Sequence, residues 1–327
     1  MNERADYIPA ALPADDADSC DVVTIPAALG GLRLDQALAK LFPEHSRSRL
    51  QGWLRDGYIR VDGASPDARK KVCGGEAIEI DAPPPPEIAA ELPEDIPLDV
   101  VFEDEHLLVI NKPVGLVVHP GNGNWSGTLL NALLHRDPTL AAVPRAGIVH
   151  RLDKDTSGLM VVARTLAAQT DLVRQLQARS VKRHYWALVQ GELGTGGTVD
   201  APIGRHPTQR IKMAVVGNGR PALTHYLVVE RFARCTLVEC RLETGRTHQI
   251  RVHMAHVGHP LVGDAVYGQR RTGNGALDGF PRQALHAFRL GLLHPQTGVA
   301  MEWTVPMAAD FAALLDELRR QKAGERR

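Results

Sequence analysis

The 327-residue chain has only four cysteines, Cys20, Cys73, Cys235 and Cys240, and no two of them form a C-x-x-C pair. Four scattered cysteines in a chain this long argue against a disulfide-stapled secreted fold. Long apolar runs are also missing. None approaches the ~20 residues that a helix needs to cross a bilayer. The opening stretch, MNERADYIPAALPADDADSC, lacks the basic start and apolar middle of a signal peptide. These absences lead to the expectation of a protein of the cytoplasm with no membrane partner. A hydrophobic content of 44% is enough for one sizeable core and a small second domain.

Net charge is absent too, at +0 overall, yet the charges are unevenly placed. Residues 1–32 carry six acidic and one basic side chain, and residues 82–105 carry eight acids and no base. Residues 145–256 hold seventeen Lys or Arg against eight Asp or Glu, an excess of nine positive charges. Such a zone is the electrostatic footprint of a polyanion partner, although a solvated surface would look similar.

The acidic stretch 1–21 reads as a tail. In 22–81, VVTIPAALGG suggests a short strand, and LRLDQALAKLF places Leu34, Leu38 and Leu41 at helical spacing. HSRSRLQGWLRDG follows, with Ser46 a candidate N-cap, Leu50, Trp53 and Leu54 on one face, and Asp56-Gly57 as a stop. YIRVDG and EAIEID read as strands around the basic turn DARKKVCGGE. This compact α+β unit resembles the S4 RNA-binding domain in keeping the order RLD…SR…IRVDG. By that resemblance Arg47, Arg49 and Lys70 would face RNA. Residues 82–97, with APPPPEIAAELPEDIP, read as a stiff acidic linker. From 98 to 318, short β-like runs outnumber helical ones without βα alternation. That pattern predicts a mixed, mainly antiparallel sheet with flanking helices. The best helix is TLAAQTDLVRQLQAR, with Leu166, Leu172, Val173 and Leu176 near one side. Residues 319–327 read as a basic tail.

Three segments invite chemistry. HPGNGNWSGT lacks the Lys-Ser/Thr of a phosphate loop and reads as a turn-rich loop. GRTHQIRVHMAHVGHP has four histidines but no H-E-x-x-H spacing, and Arg246 and Arg251 among them oppose a metal dication. Thr247 is a candidate N-cap there, with Ile250, Met254 and Val257 at helical spacing and the histidines in structural roles. HRLDKDTSG mixes Asp153 and Asp155 with Arg151, Lys154 and His150, a poor setting for a hard metal. An arginine beside a carboxylate favours its ionised form, fit to act as a nucleophile, a base or a stabiliser of a sugar cation.

GIVHRLDKDTSGLMVVART is similar to the signature of the RluA-type pseudouridine synthases. The likeness continues through VKRHYWALVQG, APIGRHPTQRIKM, GRPALTHY, LETGRTHQIRVHMAHVGHPLVGDAVYG and RQALHA, across about residues 98–306. The resemblance implies Asp153 as the essential catalytic residue and Tyr185 as the aromatic platform for the target base and a suggested base for its C5 proton. It also implies that Arg246 pairs with the catalytic carboxylate and that Arg151 helps to prise the uridine from its stack. Asp155 is expected to be structural, bonding within the turn to Thr156 or Ser157. The implied substrate is 23S rRNA, at an exposed stem-loop (helix 69), within the large ribosomal subunit or its precursor, acted on by a monomer and supporting subunit maturation.

Elementary chemistry agrees. Isomerising uridine breaks C1′–N1, turns the uracil and joins C5 to C1′, which demands no cofactor and no metal. The base must leave its stack, at a cost of a few kcal/mol that stacking and phosphate contacts offset. Lys182, Arg205, Arg210 and Lys212, with Arg183, are candidates for holding phosphates. An RNA-binding assembly factor, or a related synthase acting on tRNA or another rRNA loop, remains open, because phosphate contacts position RNA without specifying its sequence.

Overall fold

The structure, a computed structural model, describes residues 21–43, 47–64, 66–80, 92–121, 124–209, 212–268 and 272–324, and divides into two units at Pro86/Glu87. In the first unit, β1 (Asp21–Thr24) leads to α1 (Leu34–Leu41) and α2 (Arg47–Arg55), followed by β2 (Ile59–Val61) and β3 (Ala77–Ile80). The strands form an antiparallel sheet ordered β1-β3-β2. Leu34 and Leu38 from α1 and Leu50 and Leu54 from α2 are buried with Ile59 and Ile78, so the helical spacing read from the sequence is the core-facing stripe. Ser46, Arg210 and the acidic tail up to residue 20 lie outside the described residues, and of Arg49 only the backbone is described.

Arg47 has an internal role in addition to any external one. Its Nη2 donates to Asp35 Oδ2 at 2.8 Å, and Arg33 and Gln51 bond to the same buried carboxylate. Burial alone would raise the Asp35 pKa, but hydrogen bonds from Arg47, Arg33 and Gln51 prevail and bring it down to about 2. Lys70 is exposed in the turn before β3.

The second unit begins earlier than the composition suggested. From Leu92 the expected linker is tied to the helix α3 (Leu129–Arg136): Asn131 Nδ2 donates to Leu92 O at 2.8 Å, and Gly127 N donates to Glu94 Oε1 at 2.9 Å. Ile96 packs against the core. Residues 81–91 lie outside the described residues.

Around α3 the chain forms β4 (Val100–Glu103), β5 (Leu107–Lys112), β6 (Ser157–Ala163), α4 (Leu166–Gln177), β7 (Lys182–Gln190), β8 (Gly197–Asp200), β9 (Ile203–Arg205) and β10 (Met213–Val215). It continues through β11 (Leu223–Phe232), β12 (Cys235–Leu242), α5 (Gln249–His256), α6 (Gly275–Asp278), β13 (Leu285–Leu293), β14 (Ala300–Thr304) and α7 (Ala309–Gly324). Nine strands form one sheet in the order β4-β5-β6-β13-β7-β12-β11-β8, with β14 on β13, and β9 and β10 make a separate hairpin. Every pairing in the large sheet is antiparallel except that of β13 with β6. The expected mixed, mainly antiparallel architecture is therefore present.

Period-two alternation assigns the two faces. On β7, Tyr185, Ala187 and Val189 join α3 and α5 on one face, and Leu188 joins α7 on the other. On β6, Met160 and Val162 face the first layer, and Leu159 and Val161 face the layer that holds α4. Both faces are covered, which is why LMVVA reads as a continuous apolar run rather than an alternating one. Two expectations need correction. Leu166 is 59% exposed, and α4 instead buries Ala168, Leu172 and Gln175 behind a Thr165 N-cap. The expected basic tail from 319 is, up to Gly324, part of α7, where Leu314, Leu315 and Leu318 anchor the helix and Arg319 pairs with Glu230 at 2.9 Å.

Candidate active site

HRLDKDTSG forms the turn that enters β6, and its backbone is held from several directions. Just upstream, Arg145, Ala146 and Gly147 take left-handed φ values of 55°, 49° and 76°. Such conformations at non-glycine residues are sparsely populated and tend to cluster at functional sites. Within the turn, Thr156 N donates to Asp153 O at 3.0 Å, Lys112 Nζ to Lys154 O at 3.0 Å, and Arg282 Nη1 to Asp155 O at 3.0 Å. Lys112 is fully buried and also bonds Pro113 O and Leu116 O. Burial pulls its pKa down to about 7, against the attraction of Asp155 and Asp153. His150 Nε2 accepts Val161 N at 3.1 Å, and burial with Arg183 nearby holds its pKa down to about 3, so the ring is neutral and structural.

The expected bonding of Asp155 within the turn is not what the structure shows. Thr156 Oγ1 accepts from Gln283 Nε2 at 3.2 Å, and Ser157 Oγ lies 2.9 Å from His286 Nδ1. The parallel pairing of β6 with β13 brings these partners alongside and claims both hydroxyls.

Asp153 points into a cleft of about 1030 Å³ that Tyr185 also lines. Here the structure corrects the sequence reading. The partner of Asp153 is Arg251, whose Nη1 donates to Oδ2 at 2.8 Å, and not Arg246. The cause is the start of α5. His248, with a left-handed φ of 58°, is its N-cap in place of Thr247. Arg251 then falls in the first helical turn, where side chains lean back toward the N-terminus. Arg246 precedes that turn and donates from Nε to Pro221 O at 3.0 Å.

Arg251 is 5% exposed, and its remaining nitrogens grip Asp264: Nε to Oδ2 at 2.7 Å and Nη2 to Oδ1 at 2.9 Å. Burial disfavours the guanidinium charge, but the bonds to Asp264 and Asp153 outweigh it and raise the pKa above the ordinary arginine value. Asp264 is in turn fixed by Val266 N and Tyr267 N. One oxygen of Asp153 is thus pinned. The other, Oδ1, lies 3.9 Å from His248 Nε2. Tyr267 O–H bridges this network to the β9–β10 hairpin, accepting Met213 N at 2.9 Å and lying 2.8 Å from His248 Nδ1. The phenol oxygen can accept a second bond or donate its hydrogen, so the direction of the contact with Nδ1 follows the tautomer of His248.

Tyr185 is 5% exposed, and its hydroxyl has no hydrogen-bond partner among the described residues. Burial raises its pKa, Asp153 adds to the rise and Arg183 opposes it. Arg151 is exposed on the cleft wall, close enough, with Arg145, to depress the pKa of His119. Among the other expected RNA contacts, Arg183 lines the cleft, whereas Lys182, Arg205 and Lys212 do not. Sequence reasoning missed Arg251 and Asp264. Their signal was a charged residue between buried neighbours: Arg251 between Ile250 and Val252, and Asp264 after the apolar pair Leu261-Val262. Of the helix histidines, His253 bonds Thr224 Oγ1 and Ala201 O, both at 2.9 Å, whereas His248 lines the cleft beside Asp153. Among the described residues, no three His, Cys, Asp or Glu side chains converge as metal ligands.

A profile of the family described as RNA pseudouridylate synthase matches residues 106–256. Ribosomal large subunit pseudouridine synthase D of Nitrosomonas europaea is 58% identical over 300 residues, covering 91% of this chain and 87% of that one. Its namesake in Pseudomonas aeruginosa is 58% identical, covering 91% of this chain and 95% of that one, and the Escherichia coli K12 protein is 56% identical, covering 88% and 91%. Among solved structures, human RNA pseudouridylate synthase domain containing 1 is similar with a TM-score of 0.53 at 29% identity, covering 69% of this chain and 96% of that one. The sequence likeness runs through the Asp153 turn, the Tyr185 strand and the Arg251 helix alike, and the chain belongs to the RNA pseudouridylate synthase family.

Proposed function

We propose that this protein isomerises specific uridines of 23S rRNA to pseudouridine, as the names of its relatives suggest, with Asp153 as the catalytic carboxylate. The observation that carries the reading is a carboxylate in a cleft that Tyr185 also lines, with one oxygen fixed by the Arg251–Asp264 pair and the other, 3.9 Å from His248 Nε2, without a hydrogen bond among the described residues. Arg251 supplies a fixed positive charge, so Asp153 keeps one orientation while the C1′–N1 bond breaks and C5 joins C1′. Preorganised groups of this kind act without reorganising as charge develops.

Tyr185 offers its ring face to the extruded uracil, a contact worth about 1–3 kcal/mol. With its pKa raised, the phenol stays protonated at neutral pH, which favours this platform role over that of a base. Arg151 is assigned to filling the gap that the base leaves in its stack; its exposure on the cleft wall and its lack of a hydrogen-bond or ion-pair partner among the described residues support this. The first unit, S4-like by its sequence pattern, would add RNA affinity through Lys70 and Arg49. The relatives' names support large-subunit rRNA as the partner. We take the enzyme to work in the cytoplasm as a monomer on one exposed stem-loop, helix 69, in the subunit or its precursor.

Pseudouridine mapping of large-subunit rRNA in cells that lack the protein tests this reading, with complementation by wild type, Asp153→Asn or Asp155→Asn. Specific sites should vanish and return with wild type and Asp155→Asn but not with Asp153→Asn. Persistence of every rRNA site would refute the substrate. Full rescue by Asp153→Asn would refute the catalytic residue.

A further inference from the structure

Arg246, released from the catalytic carboxylate, belongs to a different cluster. Arg179, Arg183, Arg220 and Arg246 all line the same cleft as Asp153, and their guanidinium groups repel one another. Among the described residues, a single carboxylate is bonded within this cluster. Glu243 gives Oε2 to Arg179 Nη1 at 3.1 Å and Oε1 to His225 Nε2 at 2.9 Å. Among the described residues, the guanidinium groups of Arg183 and Arg246 bond only to backbone carbonyls, Glu243 O and Pro221 O. Arg183 Nε is buried with no hydrogen-bond partner. Arg220 is exposed, bonded to Ile203 through its backbone alone, and its guanidinium has no hydrogen bond or ion pair among the described residues. The cluster thus carries four positive charges and one negative. Burial of Arg246, and then repulsion from Arg220, Arg179 and Arg183, pulls its pKa down, the signature of cations gathered without their counter-charge.

We propose that these four arginines form a cradle for the phosphodiester backbone at the target nucleotide. The inference rests on RNA being the substrate and goes beyond it in assigning which cations grip the chain. Geometry ties the cradle to the target rather than to distant RNA. Arg183 and Tyr185 lie two residues apart on β7, hence on the same face and about 6.7 Å apart along the strand. A phosphate at Arg183 with a base on Tyr185 therefore belongs to one nucleotide or to immediate neighbours. The planar five-donor fork of arginine matches phosphate oxygens in pairs. Arg179 adds a left-handed φ of 60°, an uncommon conformation outside glycine that turns the chain at the end of α4. The cradle sets the register of the backbone, and the base is then offered to Asp153.

The test measures binding of a single-stranded oligoribonucleotide with one uridine to the full-length Asp153→Asn protein between 50 and 200 mM NaCl. Each phosphate contact to single-stranded nucleic acid contributes about 0.7 to the slope of log affinity against log salt. Arg220→Gln with Arg246→Gln should lower that slope by about 0.7–1.4. Affinity should then fall about 2.6- to 7-fold less across this salt range than in the parent. Arg320→Gln, on α7 and paired with Glu317, should leave the slope unchanged. Replacing the uridine by an abasic residue should preserve the effect of the double variant and abolish that of Tyr185→Leu. Arg220→Gln alone removes no internal bond, so it keeps the test valid if the double variant misfolds. A slope equal to that of the Arg320→Gln control overturns the cradle. Because the readout is binding to generic RNA, failure to modify 23S rRNA would refute the substrate and leave this result interpretable.

Discussion

Replacing Arg251 by Lys separates the two arginines that compete for the role of partner to Asp153. Arg251 makes three bonds to carboxylates, two to Asp264 and one to Asp153, from a guanidinium that is 5% exposed. A lysine keeps the charge, but a single ammonium cannot span both carboxylates in this geometry. Asp264, buried and still bonded by Val266 N and Tyr267 N, holds the ammonium, and Asp153 loses its partner. A hydrogen bond between charged groups is worth about 1.5–3 kcal/mol. At 1.36 kcal/mol per tenfold, the chemical step should slow by about 10- to 150-fold. Arg246→Lys removes only the bond to Pro221 O and one cradle contact, so at saturating RNA the same step should change by no more than about twofold. Single-turnover release of tritium from RNA labelled at uridine C5 measures the step directly, because that hydrogen is lost when C5 joins C1′. A larger loss in Arg246→Lys than in Arg251→Lys would refute the assignment.

Acid should weaken the catalytic unit. Burial, with nearby arginines, depresses the pKa of His150 to about 3 and those of His119 and His286 to about 4, against an ordinary 6.5. Groups with depressed folded pKa values stay neutral in the fold but take up protons when unfolded, so stability is full above pH 6.5 and is lost as pH falls toward 4. Each should cost about 1–2 kcal/mol by pH 5, and urea unfolding that shows equal or greater stability at pH 5 than at pH 7 would contradict this. Gly158→Ala, at φ 111° with its new Cβ 2.1 Å from Ala287 O, should force β6 from β13 and destabilise by about 2–4 kcal/mol in thermal melts. Lys112→Met should leave two carbonyls, Pro113 O and Leu116 O, unpaired under the catalytic turn, while Lys154 O keeps only the bond from Gly115 N. We expect about 3–5 kcal/mol of lost stability together with reduced turnover; an unchanged melting temperature would show that the tripod carries no load.

The sequence was most informative where local pattern and burial coincide. The first unit's two helices followed from leucine spacing, and the sheet's connectivity class followed from the lack of βα alternation. Asp153 stood out because polar residues so mixed are poor core material, and the family resemblance then suggested its role. What escaped was set by long-range geometry. Whether Arg246 or Arg251 meets Asp153 depends on where α5 begins, and that depends on the left-handed His248, which no local preference signals. The partners of Thr156 and Ser157 come from Gln283 and His286, brought alongside by one parallel strand pair. Residues 92–97 looked like linker because prolines and acids dominate there, yet Asn131 captures their backbone.

That parallel pair also sets an order of events in time. The segment 106–256 already holds Asp153, Tyr185 and Arg251. Asp264, which fixes Arg251, comes after it, as do Arg282, Gln283 and His286, which fix the Asp153 turn. The strand β13 then inserts between β6 and β7, joining halves of the sheet that would otherwise have open edges. A nascent chain emerging from its N-terminus can therefore display every proposed catalytic side chain and still be inert. Competence requires the chain through β13, so a product terminated before that strand would be silent rather than partially active.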